Sequence, residues 1–217
     1  MKRFFLFFLV LLFTHEQLRS DEVRIIGVFS GSFDPPTTAH QKIILAALEK
    51  QRFDKLIIYV NQFGKKPYHA DPSHRKKMLE IMLRDKADLV SVIIQTNADK
   101  RIDYRKIREP GTLLALIIGE DSYFKRLALP EIQKIPVEEI YVVPRTSEFT
   151  ALASALAPKE HIMYIPNIQS VSSTKTRKQL ISGIFSEINL HKDVLEYIHA
   201  NHLYSVGTKS YGECGKK

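Results

Sequence analysis

His40 closes the stretch GSFDPPTTAH (residues 31–40), and Arg177 closes VSSTKTR (residues 171–177). Each stretch sets small or hydroxyl-bearing residues before a closing side chain that carries a proton or a charge. Gly31 and Ser32 let backbone amides approach an anion closely, while Pro35 and Pro36 stiffen the turn and delay the helix that follows. A helix N-terminus presents unpaired N–H groups and the positive end of a dipole, so phosphate is its natural guest. His40 then lies in the first helical turn, facing that guest. Ser172, Ser173 and Thr174 repeat the arrangement at a second helix start. A plain N-cap would account for these three hydroxyls; it would not account for Arg177, whose fixed charge suits phosphate oxygens. Neither stretch carries the G-K-[ST] of a P-loop or the G-x-G-x-x-G fingerprint.

Both stretches need elements to hold them. EVRIIGVFS (22–30) is a continuous apolar run of strand length, and KLIIYVN (55–61), DLVSVIIQ (88–95), TLLALIIG (112–119), EEIYVVPR (138–145) and HIMYIPN (161–167) are others. Residues 39–52 carry apolar side chains at helical spacing, and 73–85 is amphipathic with Ser73 as its expected N-cap. Residues 173–182 and 191–203 also predict helices. Runs rather than alternations mean strands buried on both faces. The fold class is therefore α/β: a Rossmann-like open parallel sheet with helices on both faces and a helical C-terminus. Ligands of such sheets sit beyond the carboxyl ends of the strands, where residues 31–40 fall.

The 217 residues carry 32 Lys and Arg against 24 Asp and Glu, a formal charge of +8 that suits anionic partners or simply a solvated surface. No RNA-binding signature with interleaved aromatics is present, so no nucleic-acid partner is expected. One cysteine, Cys214, excludes an internal disulfide and a thiolate zinc cluster. MKR followed by FFLFFLVLLF (residues 4–13) has the charge and length of a signal segment, without an A-x-A cleavage site. It reads as an export signal, a membrane-surface anchor, or an extension from an unused start. The expected organisation is residues 1–20 as this appendage, 21–205 as the domain and 206–217 as a tail. The expected location is cytoplasmic, at the membrane if residues 4–13 anchor the chain, with export as the alternative.

GSFDPPTTAH resembles the G-x-F-D-P-x-[HT]-x-G-H loop of the nucleotidyltransferase superfamily, and VSSTKTR its I-S-S-T-x-x-R motif. IIGEDS, YVVPR and VLEYIHANHLY are similar to segments of the bacterial nicotinate-nucleotide adenylyltransferases within it. The resemblance implies transfer of AMP from ATP to a mononucleotide, with magnesium and loss of pyrophosphate, in NAD synthesis. It assigns His40, Thr37 and Arg177 to catalysis. It puts Gly31, Ser32, Phe33, Thr37, His40, Gly119, Asp121, Arg145, Ser172, Ser173, Thr174 and Arg177 on ATP. Lys65, Lys66, Tyr123 and Phe124 fall to the acceptor, and no residue to a protein-held metal. The partners implied are ATP and a mononucleotide, with a homo-oligomer left open. The remaining histidines, His69 among them, are expected to be surface or capping residues.

The chain departs from the family pattern on the acceptor side. Ala39 replaces the loop glycine, the helix that normally precedes the I-x-G-x-D strand is replaced by REPGTLLAL, and the chain has no tryptophan to stack on a pyridine ring. Tyr123 or Phe124 could stack instead. Two alternatives stay open: a different phosphate-ester acceptor, or a weakly catalytic nucleotide-binding relative acting as sensor or scaffold.

Overall fold

The computed structural model describes residues 23–49, 53–63, 67–96, 102–127, 135–146, 149, 159–168 and 171–205. The appendage and tail expected at 1–20 and 206–217 lie outside this set, as do Lys65 and Lys66. Among the described residues no helix is long and apolar enough to cross a membrane.

Six strands, β1 (Arg24–Gly31), β2 (Lys55–Asn61), β3 (Val90–Gln95), β4 (Thr112–Gly119), β5 (Glu139–Val143) and β6 (Glu160–Ile162), form one sheet in the order β3-β2-β1-β4-β5-β6. Every pairing is parallel. The chain turns back on itself between β1 and β4, and this switch point is where an open parallel sheet leaves a crevice. Gly31 ends β1 and Gly119 ends β4, so the crevice opens between two residues without side chains.

Helices cover both faces. Ile44 of α1 (Thr38–Glu49), Leu79 of α2 (Pro72–Met82), Leu180 of α5 (Ser173–Ile181) and Val194 and Ile198 of α6 (Lys192–Ala200) share one buried cluster. Tyr104 and Ile107 of the short α3 (Tyr104–Ile107) and Tyr123 of α4 (Glu120–Leu127) join the cluster on the other face. The inner strands β2, β1 and β4 are apolar through their middles because both faces are packed. Val28, Leu56, Ile58 and Leu114 have no exposed surface.

Some boundaries differ from the sequence reading, each for a local reason. Asp71, not Ser73, caps α2: its side chain accepts from the Ser73 N–H at 2.8 Å, and Pro72 takes the first helical position. The strand expected at 161–167 lasts only from Glu160 to Ile162, and the chain beyond leaves the sheet. Residues 104–107, unassigned in the sequence, form α3 where Asp103 caps a single turn.

Gly27 shows how tightly β1 is packed. A Cβ there would lie 2.3 Å from the Phe53 ring and 2.7 Å from Leu56. Both neighbours are buried, so a methyl group here forces the packed core to shift. Gly27→Ala should therefore cost about 1–3 kcal/mol through overpacking. A urea midpoint indistinguishable from wild type would show that the core can relax here.

Candidate nucleotide-transfer site

The first functional loop is built on a helix start. Thr37 occupies the N-cap of α1, and His40 falls three residues later, at the position where a capping box places its reciprocal acceptor. The Thr37 backbone N–H donates to His40 Nδ1 at 2.9 Å, and the Thr37 hydroxyl lies at the same distance from that nitrogen. A backbone N–H can only donate, so Nδ1 is the unprotonated nitrogen and the ring proton sits on Nε2. Edge contact with Phe33, ring centres 5.0 Å apart, braces the imidazole. Burial, and after it the positive charge of Arg145, push the His40 pKa down to about 4. At neutral pH the site thus holds a neutral imidazole with one N–H pointing away from its cap.

The depressed His40 pKa couples folding to pH. The unfolded chain binds a proton on this histidine below about pH 6.5, and the folded chain binds it only below about 4. Stability therefore rises with pH across that window and is fully present above it. In His40→Asn the amide can replace Nδ1 in the cap but does not titrate. Urea midpoints at about pH 4.5 and 7 should differ less in that variant than in wild type; an equal difference would place the acid-sensitive group elsewhere.

Gly31 has a packing role besides the anion access expected of it. A Cβ on it would lie 3.0–3.3 Å from the Phe33 ring, which folds back over the strand end at φ +49°. Phe33, 1% exposed, forms a wall behind His40 rather than a surface open to a ligand. Thr37, also 1% exposed, orients His40 rather than facing outward. The Thr38 N–H at the start of α1 is taken by the Asn189 carbonyl at 3.1 Å, which narrows the anion site expected there. Ser32 offers its carbonyl to the buried Arg75 at 2.5 Å.

The second loop closes onto the first. Ser172 caps α5, its hydroxyl accepting from the Lys175 N–H at 3.3 Å. The Ser173 hydroxyl donates to the Pro35 carbonyl at 2.8 Å. Arg177 donates to the Asp34 carbonyl, stands 3.7 Å from its carboxylate and reaches Thr174 Oγ1 at 3.3 Å. His40 and Arg177, remote in sequence, are thus bolted to one turn. At the β4 end, space is open where a Gly119 Cβ would stand. Asp121 and Arg145 face each other at 3.8 Å, both exposed enough to exchange this contact for another.

Three residues that organise the site, Asp34, Arg75 and Glu120, were not singled out in the sequence, and a fourth, His69, was expected only at the surface or as a cap. Asp34, 2% exposed, accepts from the His69 N–H at 2.9 Å, the Ala70 N–H at 3.2 Å and the Tyr204 hydroxyl at 2.8 Å. Its place between Phe33 and Pro35, in a turn with no solvent-facing role, was the available signal. His69 is more than a surface residue, since its ring nitrogen lies 3.6 Å from that carboxylate. Arg75, fully buried, ties the Ser32 and Asn61 carbonyls together beneath the loop. Glu120, next to Asp121, accepts from the Arg145 and Thr146 N–H groups at 2.5 and 2.9 Å and fixes the turn that carries Arg145. Burial would raise its carboxyl, but the Thr146 hydroxyl and these amides hold it below the usual range.

On the acceptor side the two aromatic residues part company. Tyr123 is 6% exposed, packs edge-on against Phe149 and donates its hydroxyl to Glu160 at 2.7 Å. It is a core residue, which corrects its expected place as a stacking platform. Phe124 is 44% exposed, with its ring in T-shaped contact with Tyr123 and Phe149.

Comparison with known proteins identifies relatives of the chain. The cytidylyltransferase-like family model matches residues 28–179, a span that contains both loops. A probable nicotinate-nucleotide adenylyltransferase of Campylobacter fetus is 32% identical over 174 residues, covering 71% of this chain and 86% of that protein. One from Prosthecochloris aestuarii is 30% identical over 83% of this chain and 98% of its own length. The nicotinic acid mononucleotide adenylyltransferase of Plasmodium falciparum, solved with NaAD, shares the fold at a TM-score of 0.66 and 20% identity, over 83% of this chain and 97% of that one. With the matched span running from the first loop through Arg177, the chain belongs to the cytidylyltransferase-like family of nucleotidyltransferases, alongside the nicotinate-nucleotide adenylyltransferases.

Proposed function

We propose that the protein transfers AMP from ATP to nicotinate mononucleotide and releases pyrophosphate. An oxygen of the acceptor's phosphate attacks the α-phosphorus of ATP, a new P–O–P bond forms, and the bond to the β-phosphate oxygen breaks. The observation that carries this reading is the joining of His40 and Arg177 on one turn at the sheet's switch point. In-line transfer of this kind needs positioning and charge neutralisation rather than a covalent enzyme intermediate. His40 would donate its Nε2–H to the α-phosphate oxygens as charge builds. Arg177, with the N-terminal amides of α5, would hold the departing phosphates. Gly119 and Asp121 would take the adenosine, and Arg145 the phosphates beside His40.

Among the described residues no group of three or more carboxylates, histidines or cysteines is arranged to hold a metal ion. Asp34, the buried carboxylate nearest the site, is already engaged at both oxygens. Magnesium would therefore arrive on the ATP phosphates, where its chemistry is to neutralise them.

The acceptor assignment draws on the names of the bacterial relatives. Phe124 would meet the pyridine ring; Lys65 and Lys66, which lie outside the described residues, are assigned to the acceptor phosphate by the family resemblance alone. The test is pyrophosphate release with ATP and magnesium, offering nicotinate mononucleotide, nicotinamide mononucleotide and phosphopantetheine in parallel. Release only with nicotinate mononucleotide is expected. Release with another acceptor alone would replace the assignment, and ATP binding without release would leave a nucleotide-binding relative.

A further inference from the structure

One of the groups that hold the Asp34 carboxylate comes from the far end of the described chain. Tyr204, beyond α6, is 1% exposed, and its hydroxyl donates to Asp34 Oδ1 at 2.8 Å. Its backbone is left-handed at φ +56°, a conformation that a bulky side chain keeps only where its surroundings enforce it. Across the contact, Phe33 is left-handed as well. Two aromatic residues are thus constrained on the two sides of a single hydrogen bond.

The arrangement of donors around Asp34 shows what this bond controls. Oδ2 accepts from the His69 N–H and faces Arg177 Nη1 at 3.7 Å. Oδ1 accepts from Tyr204 and, at a longer 3.2 Å, from the Ala70 N–H. Without the tyrosine hydroxyl, Oδ1 keeps only its longer bond, and the carboxylate loses one of the three hydrogen bonds that set its angle to the guanidinium. Arg177 would then lose the fixed carboxylate that aims it at a phosphate.

We propose that Tyr204 is a positioning residue of the nucleotide site: by holding Asp34 Oδ1 it sets the carboxylate against which Arg177 is aimed. The segment after α6 is in this way a working part of the site. The proposal rests on Arg177 meeting phosphate, as in the function proposed above.

Tyr204→Phe removes the hydroxyl and leaves the ring. ATP affinity is measured by calorimetry on the full chain for wild type, Tyr204→Phe, Arg177→Lys and the double variant, with folding checked by circular dichroism. Tyr204→Phe should weaken ATP about 3–10-fold while remaining folded, and should change it less than about twofold when Arg177 is already lysine. Unchanged affinity in the wild-type background overturns the proposal, as does equal weakening in both backgrounds, because a general structural role would not depend on the guanidinium. Wild type that shows this coupling yet releases no pyrophosphate would remove the transfer reaction and leave the positioning in place. Wild type that binds no ATP would remove both.

Discussion

His40→Ala should lower turnover at least about a hundredfold while the protein stays folded, the loss expected when one transition-state donor is removed. The size follows from what the imidazole does at this position. Its Nδ1 is committed to the Thr37 N–H, so the ring has one orientation and one tautomer. Its Nε2–H is the donor that remains. Because its pKa is about 4, the ring donates as a neutral group and does not lose a proton near neutral pH. The profile of kcat/KM against pH should therefore show no step from this residue in the usual histidine range. Two further variants separate capping from catalysis. His40→Asn can accept from Thr37 but has no donor at the Nε2 position, so it should be as inactive as alanine and more stable. His40→Gln carries both an acceptor suited to the Thr37 N–H and an amide donor, but cannot place both where the imidazole does, so it should keep the stability and recover only part of the rate. Near-normal turnover in His40→Asn would show that the imidazole serves the helix start alone.

The sequence made these two loops readable because their chemistry is local. A glycine, two prolines, hydroxyls and a histidine within one turn mark the stretch as unusual, and the structure brings it against the second loop at Asp34. The parallel sheet was equally legible, since strands such as Leu56–Val60 are apolar on both faces only when both are covered. What the sequence concealed was long-range. Asp34 looked like a turn residue, yet its meaning comes from Ala70, Arg177 and Tyr204, partners that lie 36, 143 and 170 positions away. Tyr123 and Phe124 could not be told apart by type, and only the register of α4 buries one ring and exposes the other. Gly31 was assigned to anion access, whereas its missing Cβ also makes room for Phe33. Short elements such as α3 were missed because a single capped turn leaves no periodicity to count.

Arg177→Ala should also lower kcat/KM for ATP, by about a hundredfold or more, since it removes a charge-assisted fork from the departing phosphates. Structure and chemistry compete for this side chain, so the experiment must tell them apart. Nη1 is committed to Asp34, and Nη2 reaches Thr174. The Nε–H and the second Nη2 hydrogen have no partner among the described residues and remain for a ligand. Removing the arginine leaves Asp34, 2% exposed, without its nearest cation, so a stability loss of about 3 kcal/mol should accompany the kinetic one. Arg177→Lys restores a charge without the planar fork. It should recover most of the stability but only part of the rate, because a single ammonium cannot serve Asp34 and a phosphate at once. Millimolar guanidinium added to the alanine variant should raise its rate if the lost function is phosphate contact. If lysine restores rate and stability in equal measure, and guanidinium does nothing, Arg177 holds the two loops together and the phosphates must be met by the α5 amides alone.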